Sequence, residues 1–205
     1  MKSETVRINN KENMDAALVA ADDFIKRLTL EKKQALRLRL IVEETLGMLG
    51  AMVGTYNAKF YLEGDEKECS LFVQATTDMD LDKKKELLSI SSSGKNASIK
   101  GFMSKIGDMI ENGFLHLDGS SSLQTAYGGS MLGYGYADPG TMNAISGMDA
   151  ELIWTLEAYR QHLPKHEGEE ETEELEKSIV ANLASNIIVG VKKDNVTLRI
   201  IKSFQ

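Results

Sequence analysis

The chain has 205 residues, 42% of them hydrophobic and 27% charged, with a formal net charge of −7. That length suits one domain with an insertion, or one domain and a small second one, and the apolar fraction is enough for a real core. The acidic balance argues against a general nucleic-acid or anionic-membrane surface; the single cysteine, Cys69, excludes a disulfide framework and fits a buried thiol in a reducing cytoplasm; and no apolar run reaches the ~18 residues a membrane span needs.

The N-terminal stretch is polar and lacks the apolar core of a signal peptide. Thr5–Ile8 alternates and predicts a strand, with Asn9 and Asn10 as the turn after it. Asn13–Leu28 predicts a helix with Met14, Ala17, Leu18, Ala21, Phe24, Ile25 and Leu28 as its apolar stripe, capped by Asn10 or Asn13. Ala35–Gly54 predicts a long helix whose buried face carries Leu38, Ile41, Val42, Thr45, Leu49, Met52 and Val53. Glu44 and Met48 sit one turn apart along the border of that face. A carboxylate there is either a half-buried functional acid or a solvated helix glutamate. Ala58–Glu63 and Glu68–Thr76 alternate around a Gly64–Lys67 turn and predict an antiparallel hairpin.

The character then shifts. Leu81–Ile90 predicts a short charged helix, Ser91–Asn96 a polar linker, and Ile99–Ile110 an amphipathic helix. Gly119–Gly147 holds seven glycines interleaved with Tyr127, Met131, Leu132, Tyr134 and Tyr136, and predicts an irregular loop. Asp149–Leu163 predicts a helix ended by Pro164. A glutamate-rich run, 167–176, leads into a predicted helix, Glu173–Ala184. Asn186–Val191 and Val196–Ile201 then predict a closing hairpin. The whole reads as α+β: a two-layer sandwich of a mostly antiparallel five-stranded sheet covered on one face by helices. The core is 1–80 and 169–205, and 81–168 is a helical and glycine-rich insertion.

This element order, with Leu38-Arg39-Leu40-Ile41-Val42-Glu43-Glu44-Thr45-Leu46, resembles the histidine-kinase-like ATPase superfamily (gyrase, heat-shock protein ninety, histidine kinases, MutL), nearest its anti-sigma-factor serine kinases. The resemblance covers roughly 1–80 and 173–205. It implies a bacterial origin, and a helix glutamate that polarises the attacking group, which Glu44 matches. It implies an asparagine for Mg²⁺ four residues on, where this chain has Met48, a soft and weak ligand. It implies an adenine-reading aspartate followed by glycines. Asp78 and Asp80 are candidates, but both glycines are missing. The family's phosphate-facing helix N-terminus falls on Glu169–Leu175. Carboxylates there compete with phosphate, each like-charge contact at ~6 Å costing about 3 kcal/mol before screening. The expectation is a scaffold that has lost the family's ATP and Mg²⁺ chemistry.

Other signals are weaker. Ser93–Ser98 lacks the glycine spacing, the hydroxyl and the preceding strand of a phosphate loop. Gly133–Gly135 lacks a third glycine. His162 and His166 are separated by Pro164 and have no third ligand nearby, so no metal site is expected. The acidic run is a solvated tether or a docking surface. Tyr127, Met131, Leu132, Tyr134 and Tyr136 are adaptable contact groups, expected to dock a protein partner or a second copy of the chain. The leading expectation is a non-catalytic, cytoplasmic regulatory module that binds protein and no cofactor, nucleic acid or membrane. The alternatives are an ATP- and Mg²⁺-dependent serine kinase with Glu44 as base, and a small-ligand sensor using the former nucleotide pocket.

Overall fold

The computed structural model describes residues 1–10, 12–51, 57–76, 131–132, 152–157, 160, 178–192 and 195–204. In chain order they form β1 (Val6–Ile8), α1 (Glu12–Arg27), α2 (Lys32–Ala51), β2 (Asn57–Gly64), β3 (Glu68–Thr76), β4 (Met131–Leu132), β5 (Leu152–Thr155), α3 (Ile179–Leu183), β6 (Asn186–Lys192) and β7 (Asn195–Ser203). The class is α+β. Every strand pairing is antiparallel, in one open sheet of order β1-β2-β3-β7-β6-β5-β4.

The sheet's inner face follows from period-two alternation. Phe60 pairs with Val73, Val73 with Leu198, Leu198 with Val189, and Val189 with Trp154. One row thus crosses five strands, and Leu62, Leu71, Ile200 and Ile187 form the next. Both rows share a single core with Ala17, Ala21 and Phe24 of α1, with Leu38, Ile41, Val42, Leu46, Met48 and Leu49 of α2, and with Val180 and Ala181 of α3. Cys69 lies in the same core, and burial pushes its thiol up to about 12, so it stays protonated and unreactive.

Local chemistry sets the helix ends. The Asn13 amide donates to the Asn10 side chain at 3.0 Å, capping α1. Glu12 and Asp15 in the first turn, and Lys26 and Arg27 in the last, complement its dipole. α2 starts three residues before the expected Ala35. The signal is Gln34, whose side-chain oxygen accepts from the Glu31 amide at 3.1 Å, half of a capping box. Arg39 ties the two helices, donating to Glu43 at 2.9 Å and to Asp22; these bonds raise its already high pKa.

All five expected strands are present, and β4 and β5 extend the sheet beyond them. β5 lies where a helix was expected over 149–163. Ile153, Trp154 and Thr155 are β-branched and aromatic, and pairing with β6 on one side and β4 on the other satisfies their backbone. Met131 and Leu132, inside the expected loop, form the edge strand β4. Within the expected helix Glu173–Ala184, α3 starts at Ile179 with Ser178 as its extended N-cap, the Ser178 side chain accepting from the Ala181 amide; 173–177 lie outside the described residues. The expected helices over 81–90 and 99–110 lie outside the described residues. No helix among the described residues is long and apolar enough to cross a membrane.

The β2–β3 turn rests on two residues. Gly64 has φ +152°, and a Cβ there would meet the Glu68 carbonyl oxygen at 2.1 Å. Asp65 accepts from the Lys67 and Glu68 amides at 2.8 and 3.1 Å, which holds its carboxyl below the usual range. That contribution is present above the ordinary aspartate pKa and is lost as pH falls through the depressed one. Gly64→Ala is expected to cost about 1–3 kcal/mol, read as a lower urea midpoint at unchanged slope; an unchanged midpoint would contradict the close approach.

Candidate functional site

Helix α2 carries the base that the enzyme alternative would use, and it places Glu44 and Met48 in opposite environments. Glu44 is exposed. Met48 is only 2% exposed and belongs to the core. Between them Thr45 is fully buried, its hydroxyl donating to the Ile41 carbonyl at 2.7 Å. Position 48 therefore faces hydrocarbon, a turn away from a carboxylate that faces water. Asp78 and Asp80 lie outside the described residues, as do Tyr127, Tyr134 and Tyr136. Met131 and Leu132 are placed by backbone pairing with Trp154 and Ile153. Among the described residues no group of three acidic, histidine or cysteine side chains stands ready for a metal.

A different region is concave. A cavity of about 730 Å³ opens over the ends of β1, β2, β3, β6 and β7, on the sheet face opposite the core, and no α2 residue lines it. Its volume falls within the roughly 300–1,000 Å³ of small-ligand sites. The strand register builds it row by row. Arg7 stands opposite Lys59, Lys59 opposite Gln74, and Gln74 opposite Thr197, a polar row across four strands. Asn57, Thr76 and Asn195 form a second polar row at one end. Tyr61 and Phe72 form the wall on the other side.

The wall is prearranged. The Tyr61 and Phe72 rings stack with centroids 4.8 Å apart and planes 13° apart, set by the strand spacing. Lys2 Nζ lies 3.7 Å from the Tyr61 centroid, and the Arg199 guanidinium lies 5.2 Å from that of Phe72. Arg199 also donates to the Ser70 hydroxyl at 3.1 Å. Burial, reinforced by Glu63, pushes the Tyr61 phenol up, so it remains a neutral hydroxyl.

Electrostatically the cavity differs from the chain as a whole. Arg7, Lys59 and Lys192 line it, and none of its described lining residues is acidic. Arg7 and Lys59 are exposed like charges facing each other across a strand pair, an arrangement that destabilises the pair.

No protein-family model matches the chain, and no curated protein matches it in sequence. The residues alone carry the functional reading. Sequence reasoning overlooked this cavity because Arg7, Lys59, Gln74 and Thr197 are far apart in the chain. The β2–β3 turn already fixed Lys59 beside Gln74; the places of β1 and β7 were the missing facts. For α2, Met48→Asn is expected to cost about 2–4 kcal/mol in urea unfolding, from lost packing plus a buried amide; a neutral substitution would mean that Met48 faces an open, wet site.

Proposed function

We propose that the chain is a non-catalytic regulatory binding module, built on a two-layer scaffold of the histidine-kinase-like ATPase type with helices covering one face of the sheet. The observation that carries this reading is the burial of Met48 in the core beside an exposed Glu44. A Mg²⁺-dependent phosphoryl transfer needs hard oxygen ligands near the base, arranged around the triphosphate. In this chain the matching turn supplies a thioether to the apolar core. The acidic run at 167–176 supports the same reading by opposing a triphosphate where the family cradles one.

The module acts through protein contacts in the cytoplasm, with a protein partner or a second copy of itself. The glycine-rich segment bearing Tyr127, Tyr134 and Tyr136 is the proposed contact, carried next to the β4 edge strand. The 81–168 stretch is then an insertion whose strands β4 and β5 join the common sheet.

Calorimetric titration with Mg·ATP tests the loss of nucleotide chemistry. The expected result is no binding that depends on Glu44, with the same heats from the unmodified chain and from Glu44→Ala. Saturable binding that Glu44→Ala removes would favour an ATP-dependent serine kinase and overturn the proposal.

A further inference from the structure

We propose that the cavity on the outer face of the sheet binds a small phosphorylated anion, with Arg7 and Lys59 as its charged ligands. The site is independent of how α2 is read, since no residue of that helix lines it. Four observations converge on it.

The first is unneutralised charge. Among the described residues neither Arg7 nor Lys59 has a carboxylate partner, although the chain carries an excess of acidic groups. The second is their placement. As register partners they stand abreast on adjacent strands, where like charges oppose folding. A bound anion between them would convert that repulsion into two charge-assisted hydrogen bonds. The third is the company they keep. Gln74 and Thr197 continue the row, and Asn57 and Asn195 close the end, so amide and hydroxyl groups accompany the cations, with no acid among the described lining residues. An oxygen-rich ligand of negative charge matches that donor set.

The fourth observation selects a small ligand over single-stranded nucleic acid. Strand binders present free aromatic faces on which bases stack. Here Tyr61 and Phe72 stack on each other, and Lys2 and Arg199 sit over their rings. The rings stand as a wall and offer no platform. A cavity of about 730 Å³ has room for a metabolite-sized molecule.

Titration calorimetry with inorganic pyrophosphate, on the full chain and on Arg7→Gln and Lys59→Gln, tests the site. The expected result is saturable binding that weakens by about tenfold or more in each variant, as the loss of one charge-assisted bond predicts. Each variant without ligand should melt at the same temperature as the unmodified chain or higher, because a repulsion has been removed. Lower melting temperatures would mark the two cations as structural and overturn the proposal. So would the absence of saturable heat up to about 10 mM pyrophosphate, a concentration well above a millimolar Kd, or equal binding by the variants. Tighter retention of a short oligothymidine than of pyrophosphate, lost in the same variants, would assign the surface to nucleic acid instead.

Discussion

The structure depends on one apolar core, to which the inner rows of the sheet and the buried residues of α2 both belong. Val73 and Leu198 in one row, Leu71 and Ile200 in the next, share a core with Ile41, Met48 and Leu49. β7 is the strand that makes this possible. It lies between β3 and β6, joining a hairpin near the start of the sequence to strands near its end. Such long-range pairing is costly in loop entropy, and burial of a continuous apolar face offsets it.

Closing that core also decides the fate of α2. The helix gives Leu38, Ile41, Val42, Leu46, Met48 and Leu49 to the interior. Glu44 is left on the solvent side and Thr45 satisfies its hydroxyl within the helix. The turn at Met48 is given to packing. The polar, concave region lies instead on the other face of the sheet, where alternation points Arg7, Lys59, Gln74 and Thr197.

Five of the seven described strands and the first two helices were legible because each has a strong local signal. Alternation over 58–63 and 68–76, the Gly64–Lys67 turn, and the apolar stripe of Asn13–Leu28 all agree with the tertiary fold. The segment around Trp154 was misread as helical, since apolar residues at 152, 153 and 156 fit a helical stripe as well as a short buried strand, and only pairing with β6 decides between them. Of the candidate site, the opposed surroundings of Glu44 and Met48 were half visible: the spacing put both at a border, and the core drew in the thioether. The cavity was not legible at all, because strand order, rather than any local motif, assembles its rows.

Native-state amide hydrogen exchange tests the central claim most directly, that the Glu44–Leu49 turn of α2 belongs to the same cooperative core as β3 and β7. The account predicts that the amides of Leu46, Met48 and Leu49 exchange only through the global opening that also exposes Leu71, Val73, Leu198 and Ile200. Exchange of that helical turn through a separate opening of distinctly lower free energy, while the β3–β7 ladder stays protected, would contradict it.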